Sequence, residues 1–396
     1  MIMASASDEF RKHWRLVLGA TIGTCCGSLS WYTFGVFVSP LSRALGCSIS
    51  ALTGWASFVA LGQIAVGPLT GRLADRFGVR VVMLFSIPLL ALAFVSVCAI
   101  GTSVWLLYLA AFTVGCVSLG AGYLPYSRAV NSWFSDGRGT ALGIMYSGVG
   151  ISATFAPRVL QRIVDLDGWR MGFLFLAGGT LAALPVAFFW VHEKKDELRS
   201  SGSEIGYTRR EAMRLPHFWM ISAGTLMLSL CAGFIFHLIP FLTDSGLNRS
   251  QAAMYSGLMG IALMVGRLIT GVLMDRFHAP YVCAVLFLSE AVALAILGLF
   301  QAHYAPIAVF VIGFSLGAET NCIAYCTMRY FGLKSYCELS GIFNIAICIG
   351  HVFGPLSFSL VKNATGSYSI GFVVWGGLAA VGAVLFTLVG RRSFRF

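Results

Sequence analysis

The stretch GPLTGRLADRFGVR (Gly67–Arg80) returns two hundred residues later as GRLITGVLMDRFHAP (Gly266–Pro280). Laid over each other without a gap, the copies agree at Thr70/Thr270, Gly71/Gly271, Leu73/Leu273, Asp75/Asp275, Arg76/Arg276 and Phe77/Phe277. The same offset pairs Pro40 with Pro240, Gly46 with Gly246 and Ser50 with Ser250. A self-match of this length marks a chain built twice, and it frames the reading of every other element.

Composition around the two copies leaves one class of protein. Charged residues are 11% of the chain and 58% is apolar, against about 25% charged in soluble domains, so the expectation is an all-α, polytopic membrane protein. A span needs about 20 apolar residues. Twelve stretches qualify, α1 to α12, at 14–38, 51–74, 79–101, 104–132, 139–163, 169–191, 216–243, 250–274, 280–301, 304–330, 338–362 and 368–390. All are expected to be helical, because an open strand edge in lipid leaves backbone groups unpaired. The first is too long and too spotted with polar residues for a cleaved signal peptide. The expected organisation is an N-terminal six-helix bundle (1–191), a cytoplasmic linker (192–215) and a C-terminal six-helix bundle (216–396).

Orientation follows from the basic residues. With both termini inside, 20 of the 27 Lys and Arg fall on the cytoplasmic side, six outside and one, Arg267, within a span. That is the positive-inside bias, and it accounts for the net charge of +11 without a nucleic-acid partner. The linker, HEKKDELRSSGSEIGYTRREAMRLP, mixes six basic with five acidic residues and has no room for an enzyme domain. Thr208 and Glu211 have capping-box spacing, which predicts a short surface helix before Pro216. No GxxxxGK[ST] run is present, so direct drive by ATP is not expected. The eleven cysteines suggest neither a disulfide framework nor a metal site. Most lie inside apolar spans, and Cys322 with Cys326 on one face is two thiols without further ligands. No cofactor is expected.

Gly-x-x-x-Asp-Arg-Phe-Gly at the end of an apolar run resembles the loop signature between helices 2 and 3 of the major facilitator superfamily. The first copy is nearly complete; the second keeps Gly271, Asp275 and Arg276 but has His278 where a glycine is usual. Gly71 allows close helix approach, the Asp75 carboxylate can bond neighbouring helix ends, and Arg76 with its counterpart holds the cytoplasmic side. Further stretches are similar to the bacterial branch related to monocarboxylate and oxalate:formate transporters: YTFGVFVSPL (Tyr32–Leu41), NSWF with RGTALGIMYSG (Asn131–Gly148), GWR (Gly168–Arg170) and GR with GVLMDRF (Gly266–Phe277). The resemblance implies alternating access by two six-helix repeats around a midplane site. It also implies an α8 arginine that meets the substrate carboxylate, and Arg267 falls at that place. The lysine of helix 1 in the animal carriers and their aspartate one turn before the arginine have no counterpart here, where Leu263 precedes Arg267, nor has the mid-span lysine of helix 11 in the oxalate exchangers. A monocarboxylate is therefore expected before a dicarboxylate.

The residues themselves point to the same region. Arg267 stands where the first copy has Gly67, so a buried cation breaks the repeat at one position, about 12 Å into the membrane from Asp275 at 1.5 Å per residue. An uncompensated arginine at mid-bilayer costs about 2.5–3.5 kcal/mol on insertion scales, so it must face a cavity, a partner or both. Glu319 in α10 is the candidate partner; Glu290 in α9 is the competing acid, expected to be structural because α9 should be peripheral. In α1, Thr21, Thr24, Ser28, Tyr32 and Gly35 form one semi-polar stripe, with Tyr32 the expected ligand contact and small-residue packing the alternative. In α11, Asn344, Cys348, His351 and Pro355 share a face, His351 being either a ligand donor or a satisfied buried histidine. His237, at the outer end of α7, is a structural histidine or a proton carrier. Arg128 in α4 reads as snorkelling to the interface or as substrate-binding.

The expected function is secondary active transport of a small organic anion, most simply a monocarboxylate, by a monomer in a bacterial inner membrane. Arg267 binds the carboxylate; Glu319 and His351 set the protonation state and carry a coupled proton. The alternative is an exporter of hydrophobic or cationic compounds, in which Glu319 attracts the cargo. A non-transporting nutrient sensor would need a long cytoplasmic extension, which the sequence lacks.

Overall fold

A chain this apolar must satisfy its backbone within its own segments. The computed structural model describes residues 2–100, 103–194 and 206–391, and among them every named element is a helix. Eight segments are long and apolar enough to cross a membrane: Val79–Cys98, Val104–Trp133, Arg138–Phe189, Ser250–Arg276, Ala279–Phe300, Ala305–Phe331, Tyr336–Thr365 and Ser369–Gly390. They are α3, α4, α5 joined to α6, and α8 to α12. The join between α5 and α6 is Gly168, whose φ of 85° only glycine adopts freely. The remaining spans are α1 (Ile2–Gly27 and Leu29–Leu45), α2 (Ile49–Phe77) and α7 (Pro216–Cys231 and Phe234–Asp244).

Four of the spans are broken, α6 at Ala182 and α1, α4 and α7 where close packing accompanies the break. In α1 the chain interrupts at Ser28, beside Gly27, where a Cβ would lie 2.7 Å from the Ala121 carbonyl oxygen and 2.8 Å from the Gly122 Cα. Gly122 is itself the break in α4, so two interrupted helices cross where neither has a side chain. In α7 the break at Gly233 abuts α11, where a Cβ would come within 2.5 Å of the Pro355 nitrogen. The expected unbroken stripe along α1 is therefore split. Thr21 and Thr24 are buried in the first piece, with Thr21 Oγ1 donating to the carbonyls of Val17 at 2.8 Å or Ile144 at 3.3 Å, while Tyr32 is exposed on the second.

The two copies of the repeat share their local physics. Gly46 and Gly246, both at positive φ (62° and 91°), turn the chain into α2 and α8. Two residues on, Ser48 and Asn248 cap those helices, accepting from the amides of Ala51 and Gln251. The copies part at Gly78 and His278. Gly78 takes φ 96°, which favours glycine, whereas the backbone at position 278 has φ −63° and accommodates a histidine, whose Nε2 lies 3.1 Å from the Gly390 carbonyl oxygen. The departure from the signature at His278 thus follows a different turn. The expected surface helix of the linker is Arg209–Met213, with the Thr208–Glu211 capping box formed; residues 195–205 of the linker lie outside the described residues.

The chain folds as two units. Unit 1 comprises Met1–Gly206 with Gly332–Asn344, and unit 2 comprises Tyr207–Phe331 with Ile345–Phe396. The first nine residues of α11, Tyr336–Asn344, thus pack as part of unit 1. Glycines set helix spacing within each unit. In unit 1, a Cβ on Gly62 of α2 would lie 2.3 Å from the Phe112 oxygen of α4; in unit 2, one on Gly317 of α10 would lie 2.1 Å from the Leu263 oxygen of α8. The second of these close crossings holds α8 and α10 together at the depth of Arg267.

Candidate functional site

The signature loop of unit 1 is tied down from several sides. Asp75 accepts from the backbone amides of Cys337 at 3.0 Å and Glu338 at 2.8 Å, so its carboxylate caps the N-terminus of α11, where the helix dipole favours negative charge. Arg128 Nη1 donates to Asp75 Oδ1, the oxygen that also accepts from Cys337, and to the Leu333 carbonyl oxygen at 2.7 Å, while its Nε reaches Glu193 Oε1. Glu193 in turn accepts from the Val79 amide at the start of α3, at 3.0 Å. Nearby, Arg72 forks onto Glu338 Oε1 from Nε and Nη2 at 3.1 and 2.8 Å. Arg128 is 3% exposed, which rules out the snorkelling position. It is a buried connector between two carboxylates and a helix end. Arg76 is exposed with its guanidinium over the Phe77 ring, and in the second copy Asp275 is half-buried and Arg276 exposed.

Gly71 shows why the signature needs a glycine. A Cβ there would sit 2.2 Å from the Cys337 carbonyl oxygen and 2.7 Å from the Glu338 Cα, both backbone atoms. Gly71→Ala is expected to push α2 off the end of α11 and to cost about 1–3 kcal/mol, read as a lower Tm in detergent. An unchanged Tm would show that the approach is looser than described.

Above this network lies a buried polar chain. Asn344 Oδ1 accepts from the Tyr123 hydroxyl at 2.7 Å, and its Nδ2 lies 3.4 Å from Gln63 Oε1. Gln63 Nε2 donates to Ser118 Oγ at 3.0 Å. Asn344, Gln63 and Ser118 are 3%, 5% and 5% exposed, so their mutual bonds offset desolvation. The sequence reading singled out Asn344 alone. Gln63 and Ser118 are lone polar residues in apolar runs, a signal that could have been read; their meeting with Tyr123 at the α4 break could not.

In unit 2, Arg267 is 5% exposed and its backbone carbonyl accepts from Asn321 Nδ2 at 2.7 Å. Glu319, also 5% exposed, accepts from the Ser229 hydroxyl of α7, and Arg267 is the cation whose charge acts on it. Glu290 of α9 is fully buried, with Oε2 at 2.8 Å from Ser315 Oγ of α10. His351 is half-buried and follows Gly350, where a Cβ would lie 2.3 Å from the Ser229 Cβ. Arg267, Glu319 and Glu290 therefore belong to one buried cluster, which Ser229 and Asn321 complete; neither of these two was anticipated. His237 stands apart. Its Nε2 lies 3.0 Å from the Pro355 carbonyl oxygen, its Nδ1 lies 3.4 Å from the Tyr368 hydroxyl, and its ring stacks on Phe358. Those contacts join α7, α11 and α12.

Among the described residues no group of three or more His, Cys, Asp or Glu is placed to hold a metal ion. Cys322 and Cys326 do share a face, and the Cys283 thiol of α9 meets them there; all three are free and buried.

The sequence profile of the Major Facilitator Superfamily matches residues 20–355. Monocarboxylate transporter 13 of Bos taurus is 27% identical, over 95% of this chain and 89% of its own. The probable sulfoacetate transporter SauU of Cupriavidus necator is 26% identical, over 87% and 86%. The crystal structure of the Escherichia coli fucose:proton symporter FucP superposes with a TM-score of 0.74 at 14% identity, covering 96% of this chain and 98% of that one, and so shows the fold. The chain belongs to the Major Facilitator Superfamily, and it is a membrane transporter of twelve helices in two bundles.

Proposed function

We propose that this transporter carries a small organic anion, most simply a monocarboxylate, by alternating access coupled to protons. The observation that carries the reading is Arg267: a guanidinium 5% exposed in a membrane span, within electrostatic reach of the buried Glu319. A planar fork of this kind binds a carboxylate bidentately, fixing orientation as well as charge. The relatives named for monocarboxylates and sulfoacetate support an acidic cargo. In this reading the substrate carboxylate displaces the influence of Glu319 on Arg267, and Glu319 takes up a proton as it loses its counter-charge. His351 stands by as a second proton acceptor. The signature-loop residues Gly71, Asp75, Arg76, Asp275 and Arg276 act as gates, both termini lie in the cytoplasm, and the carrier works as a monomer in the bacterial inner membrane.

The direct test is a thermal-shift screen of the purified carrier against a panel of carboxylic acids, followed by uptake in proteoliposomes. A ligand at a hundred times its Kd stabilises the folded state by about 2.7 kcal/mol, which is easily read. Accumulation of cationic dyes in place of acids would make the chain an exporter of cations. For the coupling role, His351→Gln is expected to alter the pH dependence of uptake, since a glutamine takes up no proton. An unchanged profile assigns His351 to packing.

A further inference from the structure

The cluster in unit 2 contains an acid for which the anion site has no use. Glu290 lies on α9 opposite an apolar exposed face formed by Val285, Leu288 and Val292, and it is itself 0% exposed. Its Oε2 is 2.8 Å from Ser315 Oγ, and its Oε1 has no hydrogen-bond partner among the described residues. Ser315 Oγ is also 3.1 Å from the Leu286 carbonyl oxygen. A serine hydroxyl has one hydrogen, and a carbonyl oxygen only accepts. If that hydrogen points at Leu286, the hydrogen between Ser315 and Glu290 belongs to the carboxyl group. The alternative is an ionised carboxylate in the membrane interior with one hydrogen bond and an orphaned oxygen, which costs several kcal/mol.

The charges around Glu290 decide between these arrangements. From α10 it faces Ser315 and, one turn on, Glu319; from α7 the Cys231 thiol lies within reach of both acids. From α8 the cation is Arg267, which acts on Glu319. The α12 segment Ser369–Gly390 contains no ionisable side chain, and His303 and Tyr304 sit beyond the far end of α9. Buried charged groups described in unit 2 are thus one cation, Arg267, and two acids. One guanidinium offsets one carboxylate. With Glu319 ionised beside Arg267, a second negative charge on Glu290 would have no counter-ion and would face the first through a medium of low dielectric constant.

We propose that Glu290 is a second proton-binding group of this carrier, protonated in the structure and titrating together with Glu319 as a coupled pair. The empty site then holds one proton, on Glu290. When a substrate anion engages Arg267, Glu319 becomes the second acid to be neutralised, so one proton enters with each anion. This last step rests on the proposed anion site; the protonation of Glu290 does not.

Infrared spectra of the purified, substrate-free carrier in lipid, recorded across a pH series, test the pair directly through the C=O stretch of protonated carboxyl groups. Wild type is expected to show a buried carboxylic-acid band at neutral pH that is missing from Glu290→Gln. In Glu319→Gln the Glu290 band should vanish at a lower pH, because Glu290 then ionises without the neighbouring negative charge of Glu319. Ser315→Ala should shift the band to higher frequency by removing its hydrogen-bond acceptor. That variant keeps Glu290 in place should Glu290→Gln fail to fold. Identical neutral-pH bands in wild type and Glu290→Gln would overturn protonation. A Glu290 band whose titration ignores Glu319→Gln would overturn the coupling. No substrate enters these measurements, so a carrier that fails to transport acids leaves their outcome untouched.

Discussion

Arg267→Ala protein is expected to fold and reach the membrane, yet to show no thermal shift with any carboxylic acid and no proton-driven uptake. Folding survives because the structural bond at this position is made by the backbone: Asn321 Nδ2 donates to the Arg267 carbonyl oxygen, which any residue supplies. Removing the guanidinium also removes the insertion cost of a mid-span arginine, about 2.5–3.5 kcal/mol. What is lost is the only side chain of the cluster that carries fixed positive charge, and with it the ligand for the anion. Glu319 then lacks its cation. Arg267→Lys keeps the charge but not the fork. Hydrogen bonds to a charged group contribute about 1.5–3 kcal/mol, so loss of one arm predicts affinity weaker by roughly 10- to 150-fold with normal expression. Wild-type anion affinity in Arg267→Ala would remove this arginine from the site and favour the exporter reading.

Arg128→Met is expected to lower stability more than any substitution at the anion site. Arg128 bonds Asp75 and Glu193, whose side chains are 9% and 8% exposed, and no side chain of that size without charge satisfies both. Breaking a buried ion pair by removing one partner costs about 3–5 kcal/mol, since the other charge is left uncompensated. The loss should appear as a large drop in Tm and as protease sensitivity near the α2–α3 turn. Asp75→Asn tests the opposite end. Its Nδ2 cannot accept the Glu338 amide that now bonds Oδ2 at 2.8 Å, so one amide at the start of α11 loses its cap. The expectation is slowed transport with ligand affinity retained, because the bonds lost are those of the signature loop. An Arg128→Met protein that melts with wild type would show that solvent reaches both carboxylates.

The linear sequence determined this protein's class, its twelve spans and its double construction. Those features depend on local quantities: an apolar run long enough to cross lipid, a repeated turn with glycine at Gly46 and Gly246, and polar caps at Ser48 and Asn248. Arg267 was legible for the same reason, since a charge in an apolar run is conspicuous and the repeat shows that scaffold alone does not demand it. The breaks in α1, α4 and α7 were not legible. A lone glycine in a span is compatible with a straight helix until a neighbouring backbone, such as Ala121 against Gly27, arrives at its open face. Nor could spacing reveal that Arg128 bridges Asp75 and Glu193, or that Glu290 turns inward to Ser315 of α10. Each of these depends on the distance between atoms far apart in the chain, and only packing sets that distance. A carboxylate in a span announces that it must be compensated, but whether by a cation, a hydroxyl or a proton is decided by what the fold brings to its side.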